Sequence, residues 1–113
     1  MNDYYVKAIL LQNCPYSIAA HQLINNFNIP HKVTFITNTQ KINFKNESID
    51  TFPQIFLRKY NTNGNLLLGG YDDFHHFIQT FKGNKLSDEN INKFMDKYKW
   101  SKKATLRFIQ LIN

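Results

Sequence analysis

The sequence predicts one α/β domain in which a four-stranded mixed sheet is flanked by helices, with an added C-terminal helical extension. Two observations indicate this fold class. A strand at residues 4–11, a helix from Pro15 and a second strand from Val33 predict a right-handed parallel unit. Residues 54–68 have the pattern of two strands joined by a turn, which predicts an antiparallel hairpin. The 113 residues suffice for one hydrophobic core but not for two.

The first half of the chain supplies the parallel unit. Residues 4–11 are apolar almost throughout, as in a strand buried on both faces. The helix that follows has one apolar face, which consists of Ala20, Leu23, Ile24 and Phe27. Residues 28–30 stop this helix. In the next strand Val33 and Phe35 alternate with Ile36 and polar neighbours.

The second half supplies the hairpin and a further helix. Residues 38–50 are mostly polar, so we expect only one short helix there. Residues 54–60 alternate like a strand, residues 61–64 form a turn, and residues 65–68 return as the partner strand. Two glycines then break the strand before another helix. The apolar face of that helix consists of Phe74, Phe77, Ile78 and Phe81.

We predict a domain at residues 1–83 and a basic helical extension at residues 84–113. Ser87 is a candidate helix start, and an apolar stripe follows it at Ile91, Phe94, Met95 and Tyr98. A second helix is expected at residues 105–112, joined through residues 99–103. We expect the stripe to pack on the same domain. The alternative is that this basic aromatic segment contacts an acidic partner, a membrane surface or nucleic acid.

Charge and composition limit the class of protein. The net charge is +6, and most of the excess lies in the extension. The single cysteine cannot form an internal disulfide, which is typical of a reducing compartment. No stretch approaches the roughly 20 apolar residues of a membrane span, and no export signal is recognisable at the N-terminus. We therefore expect a soluble, cytoplasmic protein.

Cys14 is the candidate nucleophile. It lies where the first strand gives way to the first helix, and a helix N-terminus favours the thiolate through its free N–H groups and its dipole. Pro15 suits the first helical position because it has no N–H to leave unpaired. Ser17 could donate its hydroxyl to the sulfur. The alternative is that Cys14 is a small buried apolar residue.

The four histidines are His21, His31, His75 and His76. The adjacent His75 and His76 point to different faces of a helix, and no cysteine lies near them in sequence. We interpret all four as surface or cap residues and expect no metal site.

Three separated motifs carry a family resemblance. They are CPYS at residues 14–17, TFPQIF at residues 51–56 and GGYDD at residues 69–73. Together they resemble the CPYC-like, TVP-like and GG-x-DD-like signatures of the glutaredoxins, over roughly residues 4–83. The resemblance implies a thioredoxin-like fold and an electron-transport protein that binds glutathione and reduces mixed disulfides between proteins and glutathione.

The resemblance also assigns site residues. The catalytic residues would be Cys14, Pro15, Tyr16 and Ser17. The glutathione-binding residues would be Thr51, Phe52, Pro53, Gly70, Tyr71, Asp72 and Asp73. Each assignment has a physical counterpart and an alternative.

A cis bond before Pro53 would turn the backbone of Phe52 outward to pair with an extended thiol peptide, whereas an ordinary proline would merely begin a strand. The glycines would let a ligand approach the next helix N-terminus, where one of the two aspartates could hold an ammonium group. The alternative is a turn followed by helix capping, which needs no ligand.

The sequence departs from the family pattern around the cysteine. Ser17 replaces the second cysteine of dithiol members, which implies a monothiol enzyme that cannot resolve a mixed disulfide internally. Members often have a basic residue three positions before the cysteine, and here that residue is Leu11. Lys7, Gln40 and Lys41 are the candidates to replace it.

Two other functions stay open. Some glutaredoxins share a [2Fe–2S] cluster between two chains, using one cysteine per chain and glutathione, although Pro15 matches that subgroup poorly. A non-catalytic thioredoxin-like binding module is the other alternative, with the extension recruiting a partner. The expected partners are glutathione and glutathionylated proteins. We expect a monomer and no nucleic acid.

Overall fold

The computed structural model describes residues 3–83 and 86–113. The elements in chain order are β1 (Tyr4–Leu11), α1 (Pro15–Asn26), β2 (His31–Ile36), a 3-10 helix (Asn38–Asn43), β3 (Gln54–Lys59), β4 (Asn65–Gly69), α2 (Tyr71–Phe81), α3 (Asp88–Tyr98) and α4 (Lys102–Ile112). The predicted start of the extension at residue 84 lies outside the described residues, and the division into 1–83 and 84–113 stays a prediction.

The four strands form one mixed sheet in the order β2-β1-β3-β4. β1 pairs in parallel with β2, where Val6 lies opposite His31, and antiparallel with β3, where Ala8 lies opposite Ile55. β3 and β4 form the antiparallel hairpin. The predicted fold class is therefore confirmed, with a parallel unit and a hairpin meeting at β1.

Helix α1 connects the parallel strands and buries the predicted face. Ala20 and Ile24 are buried completely, and Leu23 and Phe27 pack against the same core. The helix ends before Asn28, which has a left-handed backbone with φ of 52°. Asparagine tolerates that conformation better than most residues because its short side chain can bond the backbone locally.

Strand β2 departs from the expected alternation. Ile36 is buried, whereas Phe35 is 47% exposed. Ile36 lies beside Leu11 in the parallel register, and its carbonyl accepts the N–H of Gln12 at 2.9 Å, which holds it at the sheet. The ring of Phe35 packs on His21 instead, with centroids 5.3 Å apart.

One short helix lies between β2 and β3 in the sequence, as predicted. It is a 3-10 helix, and the Gln40 side chain caps its start by accepting the N–H of Thr37 at 2.9 Å. Beyond its end, the Phe44 carbonyl accepts Nε2 of buried Gln54 at 2.8 Å. This bond ties the helix to the first residue of β3.

Aromatic side chains join α2 to the C-terminal helices. The predicted face of α2 is confirmed, since Phe74, Phe77, Ile78 and Phe81 are all buried. The ring of Phe77 lies 5.0 Å from Phe94 of α3 and 4.4 Å from Phe108 of α4. Such edge-to-face pairs add to the free energy gained by burial alone. The stripe on α3 therefore packs into the same hydrophobic core as α2.

Trp100 lies between the two C-terminal helices and is only 3% exposed. Its Nε1 donates to the carbonyl of Leu67 in β4 at 3.1 Å. The aromatic residue of the basic segment therefore faces the core.

The beginning of α4 corrects the sequence prediction. The helix starts at Lys102 and not at residue 105, because Ser101 caps it by accepting the N–H of Ala104 at 3.1 Å. The connection is correspondingly shorter. At the other end, the Ile112 carbonyl accepts Nζ of Lys82 at 2.6 Å.

Over the described residues 3–83 and 86–113, no helix combines the length and the apolar character that crossing a membrane requires.

Candidate active site

Cys14 caps the N-terminus of α1 from an extended backbone conformation. Pro15 occupies the first turn, and the Cys14 carbonyl accepts the N–H of Ile18 at 3.0 Å. The thiol is partly exposed. A partly exposed cysteine at this position has the free N–H groups of the first helical turn beside its sulfur.

The surroundings of Cys14 favour the thiolate. Burial alone raises the pKa of the thiol, but the Ser17 N–H, the Ser17 hydroxyl and the Tyr16 N–H together outweigh it, and the pKa lies below its usual value. The positive charge of Lys41 acts in the same direction. The Cys14 side chain therefore has the character of a nucleophile.

Ser17 lies three residues after Cys14 and is completely buried. Its Oγ accepts the N–H of Leu11 at 3.0 Å. Because that bond uses an oxygen lone pair, the hydroxyl proton is free to point at the Cys14 sulfur. Ser17 thus links the end of β1 to the thiol.

Lys7, Gln40 and Lys41 are the candidates to supply a basic or polar group near Cys14. Lys41 follows Gln40 in the 3-10 helix, and it is the lysine whose charge lowers the pKa of Cys14. The Gln40 side chain is engaged in capping that helix. Of these three residues, Lys41 is the one whose charge acts on the Cys14 thiol, and which of them replaces the basic residue stays a prediction.

The second motif lies directly beside the thiol. The peptide bond between Phe52 and Pro53 is cis, which confirms the sequence prediction. The Phe52 carbonyl lies 3.9 Å from Sγ of Cys14. The motif around Pro53 thus meets the cysteine although 38 residues separate Phe52 from it.

A surface groove of about 440 Å³ collects residues from all three motifs. Its walls are formed by Tyr16, Thr51, Phe52, Pro53, Gly70, Tyr71, Asp72 and Asp73. Each of these was predicted as a site residue. Of the other predicted residues, Cys14 lies next to Phe52, Ser17 is buried behind the thiol, and Pro15 is exposed at the start of α1.

The two aspartates at the start of α2 have different surroundings. Oδ2 of Asp73 accepts the N–H of Gly70 at 3.3 Å, which caps the helix. The other oxygen of Asp73 accepts the hydroxyl of Tyr98. Asp72 is exposed at the groove. Asp73 is therefore the capping residue, and Asp72 is the carboxylate open to a ligand.

The two glycines also differ. Gly69 has φ of 139°, and a Cβ there would lie only 2.2 Å from Oδ2 of Asp73, so this position requires glycine. A Cβ at Gly70 would have Pro53 O as its nearest neighbour, at 3.6 Å, which is an ordinary contact. Because Gly70 and Pro53 both line the groove, the missing side chain at Gly70 leaves room in the groove itself.

An aromatic wall borders the groove. The rings of Tyr16 and Tyr71 lie 6.1 Å apart, and His75 stacks on Tyr71 at 5.5 Å with a 13° angle between planes. Tyr16 is 62% exposed. His75 thus has a supporting role that the sequence did not indicate.

Comparison with known proteins places this geometry in context. No protein-family model matches this chain, and no curated protein matches it. Among solved structures, the chain is similar to the crystal structure of glutaredoxin 1 from Francisella tularensis complexed with cacodylate, with a TM-score of 0.55 and 26% identity. The match covers 68% of this chain and 94% of that chain.

The chain has the thioredoxin-like fold of the glutaredoxins. The likeness supports a place among the thiol–disulfide oxidoreductases of that class. The glutaredoxin-like fold brings the end of β1, the start of β3 and the start of α2 together, which is where the three motifs lie.

One residue near the candidate active site was not identified as a site residue from the sequence. Tyr98 counted only as part of an apolar stripe, yet its hydroxyl donates to Asp73. Helical periodicity reports which face a residue lies on, but it does not indicate a polar contact with another helix.

Within residues 3–83 and 86–113, no three side chains of the His, Cys, Asp or Glu types form a group that could hold a metal ion. His75 stacks on Tyr71, and Nδ1 of His31 donates to the Ile29 carbonyl at 2.7 Å.

Proposed function

We propose that this chain is a glutathione-dependent thiol–disulfide oxidoreductase that reduces protein–glutathione mixed disulfides by a monothiol mechanism. The observation that supports it best is the groove beside Cys14, which gathers residues from three distant motifs. A thiol of lowered pKa next to a peptide-sized groove suits attack on a small disulfide-linked peptide.

Glutathione would occupy the groove through its peptide backbone and its charged ends. The γ-glutamyl carboxylate would lie at the N-terminus of α2, where N–H groups and the helix dipole favour an anion. Exposed Asp72 would hold the γ-glutamyl ammonium group. The backbone beside Pro53 would pair with the cysteinyl residue, and Lys41 would attract the glycine carboxylate.

The first step transfers the glutathionyl group to the enzyme. The Cys14 thiolate attacks the glutathione sulfur of the mixed disulfide, so that a bond forms between Cys14 and glutathione while the original disulfide breaks. The electron pair leaves with the substrate protein's sulfur, which takes a proton from water. The substrate protein is reduced, and Cys14 is oxidised.

The second step regenerates Cys14. A second glutathione, as its thiolate, attacks the glutathione sulfur of the enzyme-bound disulfide, giving oxidised glutathione and the Cys14 thiolate. Ser17 cannot perform this attack because its hydroxyl is not a thiol. The reductant is therefore free glutathione, and we place the protein in the cytoplasm, where glutathione is kept reduced.

The groove and the thiol belong to one chain, and we expect the active species to be a monomer. Its partners would be glutathione and glutathionylated proteins.

A glutathione-coupled assay tests the proposal. With a glutathionylated peptide as substrate, wild type should turn over in the presence of reduced glutathione. Cys14→Ser, which differs by one atom, should lose activity by at least about a thousandfold because no nucleophile remains. Activity that survives in Cys14→Ser, or a folded wild type with no activity, would show that the proposal is wrong.

A further inference from the structure

Tyr98 connects the C-terminal extension to the groove. Its hydroxyl donates to Oδ1 of Asp73, while Oδ2 of the same carboxylate accepts the Gly70 N–H. Both oxygens of Asp73 therefore have donors, one from α3 and one from the start of α2. Asp73 and Gly70 line the groove and Tyr98 does not, so the tyrosine would affect a ligand there only through Asp73.

The hydroxyl of Tyr98 is held as a permanent donor. Burial, the hydrogen bond to Asp73 and the negative charge of Asp73 all raise the pKa of Tyr98. The phenol therefore stays protonated near neutral pH and remains a donor to Asp73.

The ring of Tyr98 is fixed by its neighbours in the extension. It lies 4.5 Å from the ring of Phe94, whose other partners include Phe77 of α2 and Trp100. Nζ of Lys97 lies 5.3 Å from the centroid of the Tyr98 ring. The hydroxyl is thus presented from a packed aromatic cluster and not from a mobile side chain.

A cavity of about 490 Å³ lies on the other side of this contact, between α2 and α3. Its walls include Asp73, Phe77, Phe94 and Tyr98. Asp73 therefore lines both this cavity and the groove. Without the tyrosine hydroxyl, the carboxylate could turn away from the groove into this space.

We infer that Tyr98 is a positioning residue for glutathione binding, which holds Asp73 at the rim of the groove and thereby fixes the N-terminus of α2. The inference rests on the proposed function, since it names the ligand of the same site. It gives the extension a role in substrate affinity. Tyr98 touches no reacting atom, so it should affect binding and leave the chemistry at Cys14 unchanged.

Tyr98→Phe tests the inference because it removes only the hydroxyl and keeps the ring. With a glutathionylated peptide as varied substrate, we expect the KM to rise about threefold to tenfold, the range that one hydrogen bond spans. The kcat should stay within about twofold of wild type, because the step at Cys14 is untouched. The pH midpoint of Cys14 alkylation should not move.

Tyr60→Phe is the matched control. Tyr60 follows β3 at the end of the strand far from Pro53, so loss of its hydroxyl should leave KM and kcat unchanged. Asp73→Ala completes a double-mutant cycle. Once Asp73 is absent, adding Tyr98→Phe should change the KM by less than about 1.5-fold, since the tyrosine then has nothing to position.

The possible results distinguish a failure of the inference on Tyr98 from a failure of the proposed function. If wild type turns over and Tyr98→Phe has the same KM as Tyr60→Phe, the inference is wrong and the proposed function stands. An additive effect in the Asp73→Ala background also overturns the inference. If wild type neither binds glutathione nor turns over, both are overturned. Should Tyr98→Phe not fold, an NMR titration of wild type decides: the Tyr98 ring and the Gly70 amide must shift together as glutathione binds, and an unmoved Tyr98 ring rejects the inference.

Discussion

At the scale of single residues, Cys14 owes its character to donors within the next three positions. The Ser17 N–H, the Ser17 hydroxyl and the Tyr16 N–H all stabilise its thiolate. These donors are placed by the first turn of α1, so the start of the helix and the serine at position 17 stabilise the thiolate. Lys41 adds charge from the 3-10 helix.

The pH dependence of Cys14 alkylation follows from this arrangement. Because hydrogen bonds from Ser17 and Tyr16 lower the pKa of Cys14 in the folded protein, the midpoint of alkylation should lie at a lower pH than that of a free cysteine. Ser17→Ala should move the midpoint upward, and Lys41→Gln should move it upward by less, since Lys41 is the smallest of the contributions. Iodoacetamide kinetics against pH measure all three.

The same shift has a consequence for stability. The folded state prefers the thiolate, so this stabilisation is fully present above the unfolded pKa and is lost as the pH falls through the lower folded pKa.

Circular dichroism should accompany the alkylation kinetics as a check on folding, because Ser17→Ala also leaves the Leu11 N–H without its partner. A wild-type midpoint at or above that of a free cysteine would contradict the account of the thiol.

Among the elements, the junction between β4 and α2 contains two glycines with different conformational requirements. Gly69 has a positive φ and no room for a Cβ, whereas Gly70 has neither restriction and faces the groove. The sequence shows two equivalent glycines, and only the backbone geometry distinguishes the structural one from the one that leaves space for a ligand.

Alanine substitutions should separate these two roles. Gly70→Ala should keep the melting temperature within a few degrees of wild type and should raise the KM for a glutathionylated peptide about tenfold or more, because a methyl group would occupy the groove. Gly69→Ala should lower the melting temperature markedly, since the new Cβ meets Asp73. Thermal unfolding and steady-state kinetics on the two variants measure this.

The comparison is its own control, since each variant adds the same methyl group one residue apart. A Gly70→Ala protein with unchanged KM would place the ligand elsewhere. A Gly69→Ala protein as stable as wild type would argue against the contact between Gly69 and Asp73.

Elements with strong local signals were predictable from the sequence. Helix α2 has four large apolar residues at helical spacing, and α3 has a serine cap followed by acidic residues. Helix α4 was harder, because Lys102 and Lys103 look like a linker until Ser101 is known to cap the turn that contains them. Phe35 was misleading because an edge strand can leave a large apolar side chain exposed.

At the scale of the whole molecule, the fold was predictable because each local pattern agrees with one topology. The sequence predicts a parallel unit, then a hairpin, then helix α2. The structure confirms this order. The contact between Tyr98 and Asp73 was not predictable from the sequence. The two residues are 25 positions apart in different helices, and a hydrogen bond between side chains leaves no periodic pattern.

The extension is integrated with the rest of the molecule through aromatic packing. Trp100, Phe94 and Phe108 belong to the same hydrophobic cluster as Phe74 and Phe77. The added helices therefore enlarge the core of a glutaredoxin-like fold, and they also bring a hydroxyl to the rim of its groove.

We propose that Cys14 acts without a second thiol and that free glutathione resolves its mixed disulfide. Intact-mass spectrometry tests this most directly, on enzyme treated with oxidised glutathione and then freed of small thiols. We predict one persistent glutathione adduct on Cys14, which reduced glutathione removes about tenfold faster than cysteamine at equal thiolate concentration, because we expect the groove to bind glutathione and not cysteamine. In Ser17→Cys the adduct should decay to an internal disulfide. Spontaneous loss of the wild-type adduct, or equal removal by both thiols, would contradict it.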